Sequence, residues 1–112
     1  HITLLNRLNQ IRNNKLWQKG EYKQHWSDVT EVMQKYIAYR YDVATLEKTT
    51  PEILGNLKLK SVSDEDYNQI KKILDLADMV KFAKTVPLKQ ENEQIVNFTE
   101  QFIRNTKPSD EI

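Results

Sequence analysis

The sequence has few of the residues that cross-link or interrupt a chain. Its 112 residues include no cysteine, two glycines and three prolines. Without cysteine, neither a disulfide framework nor thiol catalysis is possible. Gly20 and Gly55 lie far apart, so no glycine-rich loop of the kind that cradles phosphate is present. The scarcity of glycine and proline leaves long uninterrupted segments, which favours helices.

An excess of one charge and a long apolar run are also missing. The 17 basic and 16 acidic side chains leave a net charge of +1, which gives no strong field toward nucleic acid or an anionic membrane. No apolar run approaches the roughly 20 residues needed to cross a bilayer. The chain begins at His1 rather than Met, which we interpret as a piece cut from a longer protein or as the remnant of a tag.

The clearest pattern is an aromatic stretch, Leu16 to Tyr41, with both tryptophans and four of the five tyrosines. Within this stretch, the apolar and aromatic residues that recur at the spacing of one helix face form a stripe: Tyr22, Trp26, Val29, Met33, Tyr36, Ile37 and Tyr41. We therefore predict a helix from Glu21 to Tyr41, preceded by a helix from Ile2 to Lys19. A turn of one or two residues at Gly20 makes the pair an antiparallel hairpin. We expect Tyr22 and Trp26 to lie in its core.

Three further helices are predicted after a short connection whose Leu46 should pack on the hairpin. The third begins with Thr50 as cap and Pro51 in the first helical position, and ends near Leu59 or Lys60. The fourth is capped by Ser63 and carries a broad apolar face that includes Phe82 and Ala83; we expect it to lie centrally and to end before Pro87. The fifth runs from Lys89 to Asn105.

The fold class predicted from these elements is all-α. We expect a compact bundle of about five helices, with a long N-terminal antiparallel helix hairpin and a short third helix. Residues 1–106 form a single helical domain in this prediction, and residues 107–112 a flexible C-terminal tail.

The search for chemistry gives no catalytic, cofactor-binding or metal-binding assignment. Glu21, His25 and Asp28 lie at i, i+4 and i+7 of one helix, but a stable metal site needs three or four well-placed ligands. We expect His25 to be a half-exposed histidine between two helices. A metal-binding or enzymatic helical domain remains an alternative function.

Lysines recur in the second half of the chain, at 58, 60, 71, 72, 81, 84 and 89, but acidic residues interrupt them. Nucleic-acid binders usually cluster basic residues on one side. We interpret these lysines as a solvated helical surface and expect no nucleic acid as partner. A nucleic-acid-binding helical module is kept as a further alternative.

Some aromatic residues fall outside the main stripe and are candidates for binding another protein. Trp17 and Tyr39 lie off its spacing, and Trp, Tyr and Arg are typical anchors of interfaces. The candidate partner-binding residues are Trp17, Tyr39, Arg40, Glu47, Thr49, Thr50 and Glu52.

Two resemblances start in the aromatic stretch. The turn Gly20-Glu21-Tyr22 between helices is similar to a single tetratricopeptide-type hairpin. No second unit follows at the period of about 34 residues that such arrays require, and His25 stands where the repeat prefers a small residue. We interpret this likeness as shared hairpin geometry.

The second resemblance covers most of the chain. It is carried by Leu16-Trp17-Gln18-Lys19-Gly20-Glu21-Tyr22-Lys23, by Val32 to Tyr41, by Ala44-x-x-Glu47-x-Thr49-Thr50-x-Glu52-Ile53-Leu54, and by Ile73-Leu74-x-x-Ala77-Asp78-x-Val80-Lys81-Phe82-Ala83-Lys84. In these blocks the chain resembles the soluble helical domain of bacterial aerotolerance-operon (Bat-type) membrane proteins, which follows a membrane-spanning helix.

That resemblance implies a non-catalytic interaction domain on the cytoplasmic side of the bacterial inner membrane, held there by a tether outside this chain. It implies a role in aerotolerance or stress. The implied partners are a MoxR-type AAA+ ATPase and von Willebrand A-domain proteins. The family offers no catalytic residues to carry over.

Overall fold

The structure is a computed structural model that describes residues 2–107. The described range contains five α-helices, one short 3-10 helix and no strand. Their bounds are α1 Ile2–Asn14, the 3-10 helix Trp17–Lys19, α2 Tyr22–Tyr41, α3 Thr50–Leu57, α4 Asp64–Phe82 and α5 Lys89–Thr106. The prediction of an all-α bundle with a short third helix is confirmed.

The connection between α1 and α2 is longer than predicted. Instead of continuing to Lys19, α1 ends at Asn14, and Lys15 has a φ of 53° in the left-handed region. The 3-10 helix then leads to Gly20, whose φ of 86° closes it as glycine readily can. The N–H of Glu21 donates to the carbonyl of Leu16 over 2.8 Å, which fixes the turn.

The central element is α2, and the expectation that α4 lies centrally is wrong. α2 packs against α1, α4 and α5, whereas α4 packs mainly against α2 and α3. Buried residues occupy more of the surface of α2 than the aromatic stripe alone, because three neighbours cover it. The buried residues of α2 are His25, Trp26, Val29, Thr30, Val32, Met33, Tyr36, Ile37 and Tyr41.

The starts of α3 and α4 follow cap chemistry, with one correction. Thr49, not Thr50, caps α3: its Oγ1 accepts from the N–H of Glu52 over 3.3 Å, and its N–H donates to the Glu52 carboxylate over 2.9 Å. This is a capping box, and it places Pro51 second rather than first in the helix. Ser63 caps α4 as predicted, accepting from the N–H of Asp66 over 3.1 Å.

Several helix ends also differ from the predictions. α3 stops at Leu57, short of Leu59 and Lys60, and α4 stops at Phe82, well before Pro87. α5 extends to Thr106. Lys107 follows it, while residues 108–112 of the predicted tail lie outside the described residues. No helix in the described range is both long and apolar enough to span a membrane.

Candidate protein-interaction surface

The predicted contact residues fall in three separate parts of the molecule. Trp17 lies in the 3-10 helix that precedes α2, beside the turn at Gly20, whereas Tyr39 and Arg40 lie near the end of α2. Seventeen residues of α2 separate Tyr22 from Tyr39, about 25 Å along a helix. Glu47, Thr49, Thr50 and Glu52 surround the start of α3. The structure therefore does not bring the seven residues into one site.

Trp17 is half-buried in the 3-10 helix. It lines a cleft of about 250 Å³ between that helix, α1, α2 and α5; we call it the His25 cleft. Its lining residues are Arg12, Trp17, Gln18, His25, Asn92, Glu93, Val96 and Asn97.

Tyr39 and Arg40 make contacts within the chain. The Tyr39 ring centroid is 6.3 Å from that of Tyr36, although Tyr39 keeps 53% of its surface exposed. The Arg40 Nε donates to the backbone carbonyl of Thr106 over 2.6 Å, and its guanidinium lies 5.1 Å from the Tyr41 ring centroid. Carbonyls in the last turn of a helix have no partner within the helix. Arg40 therefore joins α2 to the end of α5.

The residues near α3 mostly build the helix start. The Thr49 backbone and hydroxyl hydrogen bonds lower the pKa of the Glu52 carboxyl. Thr50 is buried, and Glu47 is exposed with a left-handed φ of 58°. Thr49 and Thr50 also line the edge of a groove that extends toward α4.

Two apolar residues of that region are exposed, contrary to prediction. Leu46 is 85% exposed and does not pack on the hairpin. The connection alternates here: Val43 and Thr45 are buried, and Thr45 Oγ1 donates to the Gln34 carbonyl of α2 over 3.1 Å. Leu46 instead lies exposed at a depression that residues of α2 also line.

Phe82 is 80% exposed, and Ala83 is exposed too. Phe82 follows the buried Val80 by two residues, about 200° around a helix. Leu46 and Phe82 are thus exposed because residues near them in the sequence, Val43, Thr45 and Val80, occupy the buried positions. The sequence Val43-Ala44-Thr45-Leu46 carries no signal for the first, because the buried Thr45 is polar and the exposed Leu46 is apolar.

Leu46 and Phe82 border two adjoining depressions of about 620 and 510 Å³. Both depressions include Gln34 and Lys81, so we treat them as one surface, the Lys81 groove. The first is lined by Ser27, Thr30, Glu31, Gln34, Lys35, Ala38, Ala44, Thr45, Leu46 and Lys81. The second adds Lys48, Thr49, Thr50, Pro51, Asp78, Met79, Phe82 and Ala83.

Lys81 was predicted on a solvated face, but it is half-buried where the two depressions meet. Its Nζ donates to the Thr30 hydroxyl over 3.1 Å. Burial lowers the pKa of Lys81, and the nearby Asp78 charge opposes this shift. Within residues 2–107, Lys81 forms no ion pair closer than 4.0 Å. This half-buried ammonium therefore lacks a carboxylate partner among residues 2–107.

His25 differs from the prediction: it is 1% exposed rather than half-exposed, because α5 covers it. Its Nε2 lies 2.9 Å from the Asn92 carbonyl oxygen. Asp28 accepts from Gln24 over 2.7 Å and lies 3.6 Å from Arg7. Glu21, His25 and Asp28 do not form a metal-ligand cluster, and no group of three such side chains occurs in the described part of the chain.

No protein-family model, curated protein or solved structure matches this chain. Its structural class is an all-α helical bundle. Function is therefore inferred from the surface itself and from the resemblance described above.

Proposed function

We propose that this chain is a non-catalytic protein-interaction domain that binds its partner in the Lys81 groove. The observation that carries the proposal is the pair of exposed apolar side chains, Leu46 and Phe82, around the half-buried Lys81. Exposed apolar side chains gathered in one place are typical of interaction surfaces. Met79, half-exposed in the same groove, adds a flexible apolar contact.

The occupant that fits this groove is an acidic, amphipathic segment of another protein. Of the groove's lysines, Lys35 lies 3.7 Å from Glu31, whereas Lys48 and Lys81 form no ion pair among residues 2–107. Asp78 is the remaining acid of the groove, so its charge is net positive. A carboxylate on the partner can pair with Lys81 while flanking apolar side chains contact Leu46 and Phe82.

The resemblance to Bat-type proteins supplies the partners and place to test first. We propose a domain tethered on the cytoplasmic side of the bacterial inner membrane, with a role in aerotolerance or stress. Its partners in this proposal are a MoxR-type AAA+ ATPase and von Willebrand A-domain proteins. Several residues of the resemblance, Glu47, Thr49, Thr50, Lys81 and Phe82, lie in or beside the Lys81 groove.

The test is the affinity of the purified chain for these cognate proteins, measured by titration calorimetry. Leu46→Ser removes an exposed apolar side chain from the groove, and we expect it to weaken binding at least about tenfold, as for an interface anchor. Leu59→Ser is the matched control, because Leu59 is 83% exposed but lies outside the groove. The control should bind like the wild type.

Two outcomes contradict the proposal. One is equal binding by the wild type, Leu46→Ser and Leu59→Ser, which places the contact elsewhere. The other is no measurable binding of the folded wild-type chain to any of these proteins, which removes the proposed partners.

A further inference from the structure

The Lys81 groove contains one hydroxyl that the chain itself leaves unused. Thr50, the first residue of α3, is 8% exposed and lines the second depression of the groove. Its hydroxyl forms no hydrogen bond within residues 2–107. Among those residues, His25 Nδ1 is the one fully enclosed side-chain polar atom without a partner, so the Thr50 oxygen is still accessible from outside. A largely buried polar group nearly always has a partner, and the groove leaves room for one here.

The other threonines of the groove use their hydroxyls within the chain. Thr49 Oγ1 accepts from the N–H of Glu52 over 3.3 Å and donates to the Glu52 carboxylate over 3.0 Å. Thr30 and Thr45 donate to backbone carbonyls of α2 over 2.8 and 3.1 Å. Because Thr49 alone caps α3, the start of this helix does not need the Thr50 hydroxyl.

Lys81 has unused hydrogen-bond donors in the same groove. The Thr30 hydroxyl donates its proton to the Trp26 carbonyl, so its oxygen accepts from Lys81 Nζ over 3.1 Å. An ammonium has three N–H donors, and this contact uses one of them. The second depression is also lined by Lys48, which forms no ion pair within residues 2–107, and by one acid, Asp78. Two lysines and one aspartate suit a ligand with a single negative charge.

The groove continues on both sides of Lys81. Lys81 lines both depressions, while Leu46 borders the first and Phe82 the second. A segment that lies along the groove therefore places its middle over Lys81 and its two ends toward Leu46 and Phe82. A carboxylate at the end of a chain cannot be flanked on both sides in this way, whereas an acidic side chain within a segment can.

We propose that the groove binds an internal aspartate or glutamate side chain of its partner, whose carboxylate accepts hydrogen bonds from Lys81 Nζ and from the Thr50 hydroxyl. This inference rests on the proposed function and extends it by a second donor and by the position of the acid in the partner. Hydrogen bonds to an ionised carboxylate are shorter and stronger than those between neutral groups. Thr50 therefore contributes to recognition through its hydroxyl.

The test compares three acetylated peptides by ¹⁵N NMR of the wild-type chain at pH 7, so that no substitution is needed. The first, amidated Leu-Ala-Glu-Ala-Phe, bears its carboxylate on an internal side chain. The second, Leu-Ala-Gln-Ala-Phe with a free C-terminus, bears it at the end, and the third is this glutamine peptide in amidated form. We expect saturable shifts of amide resonances in residues 45–52 and 78–83 with the glutamate peptide, and at least about fivefold weaker binding of the other two.

Variants test the hydroxyl itself. Thr50→Val removes it and keeps the shape of the side chain, so the glutamate peptide should bind about three- to tenfold more weakly while the free energy of unfolding does not fall. Thr50→Ser keeps the hydroxyl and should retain most of the affinity. Thr85→Val is the matched control, because Thr85 is half-buried, forms no side-chain hydrogen bond within residues 2–107 and lines a different depression. This control should bind like the wild type.

Three results would overturn the proposal. The first is the absence of saturable shifts in residues 45–52 and 78–83 with the glutamate peptide. The second is equal binding by the glutamate peptide and either glutamine peptide, which removes the internal carboxylate as the anchor. The third is a Thr50→Val chain that binds the glutamate peptide as tightly as the wild type does.

The proposed function is decided separately, by the cognate proteins and Leu46→Ser. If Leu46→Ser weakens their binding but Thr50→Val leaves the glutamate peptide unaffected, the groove stands and the role of Thr50 falls. If the glutamate peptide binds through Thr50 and no cognate protein binds, the carboxylate site stands and the proposed partners fall.

Discussion

At the scale of single residues, His25 and Lys81 share one physical situation. Each carries a titratable group that the fold has partly or wholly removed from water, and burial lowers the pKa of both. Neither environment was foreseeable from the residue's own position in a helical pattern. Helix spacing places His25 beside the aromatic stripe, but its burial comes from α5, which lies far along the chain.

His25 should make the stability of the protein depend on pH. Its pKa in the folded chain is below the unfolded value of 6.5. Below about pH 6.5 the unfolded chain takes up a proton that the folded chain does not, so the free energy of unfolding falls as the pH falls. The loss is at most about 1.4 kcal/mol per pH unit and stops below the folded pKa.

The measurement is urea unfolding of the wild type and of His25→Gln at pH 7.5 and pH 5.5. The variant lacks the ring, so its free energy of unfolding should vary less between the two pH values. Glu52 and Glu100 have lowered pKa values and titrate below this window. An equal pH dependence in both proteins would show that His25 is not responsible.

Lys81 should contribute to binding without contributing to stability. Because burial disfavours its charge, Lys81→Met is expected to leave the free energy of unfolding unchanged or higher, although the hydrogen bond to Thr30 is lost. Binding of the proposed partner should fall at least about tenfold, since a hydrogen bond to a charged group contributes roughly 1.5–3 kcal/mol.

Lys71→Met is the matched control for this prediction. Lys71 lies on the same helix, is exposed, and pairs with Asp75 at 2.8 Å. The Lys71→Met substitution removes the same charge as Lys81→Met, but it should alter neither the free energy of unfolding nor binding appreciably. Urea unfolding and calorimetry on the two variants decide the point: a Lys81→Met protein that is clearly less stable and binds normally would make Lys81 a structural residue.

At the scale of helices, the sequence predicted well that five helices form, and it predicted the residues at which they begin and end less well. The capping box of α3 was recoverable, because Thr49 and Glu52 have the spacing that Thr50 lacks. The early end of α1 at Asn14 was not: the side chains of Lys15 and Leu16 fit a continuing helix, and the break is set by the route of the chain into Gly20. Helix ends depend on where the next helix must pack.

The two glycines give a test at this scale, because the same substitution should act in opposite directions. Gly20 has a φ of 86°, so Gly20→Ala should lower the free energy of unfolding by about 1–2 kcal/mol. Gly55 lies within α3, where alanine favours the helix, so Gly55→Ala should raise it by about 0.5–1 kcal/mol.

Neither substitution meets a steric obstacle among the described residues. Apart from the chain neighbours and, at Gly55, the backbone of its own helix, no heavy atom there lies within 4 Å of an added Cβ. The difference therefore isolates backbone conformation. Urea unfolding of both variants measures it, and two changes of the same sign would mean that the turn at Gly20 or the helix at Gly55 differs from the structure described.

At the scale of the whole molecule, five helices enclose one core. The radius of gyration of the Cα atoms is 13.5 Å. A folded chain of this length is expected near 13 Å. The sequence predicted the class of this bundle but not its arrangement. Which helix lies centrally depends on how many neighbours cover it, and a broad apolar face on α4 did not reveal that α2 has three.

The Lys81 groove belongs to the same scale. It is formed where the connection after α2 passes the end of α4, so its residues come from distant parts of the sequence. Glu47, Thr49 and Thr50 were predicted as partner-binding residues, and that remains a prediction. Leu46, Lys81 and Phe82 were missed, because their exposure or burial is settled by tertiary packing.

Hydrogen exchange of the chain, alone and with the cognate von Willebrand A-domain protein or MoxR-type ATPase, tests the proposed groove most directly. We predict that bound partner slows exchange in residues 38–50 and 78–86, while residues 15–26, around the His25 cleft, exchange as in the free chain. Protection confined to residues 15–26, or to the end of α2 at Tyr39 and Arg40, would contradict the assignment of the Lys81 groove as the binding surface.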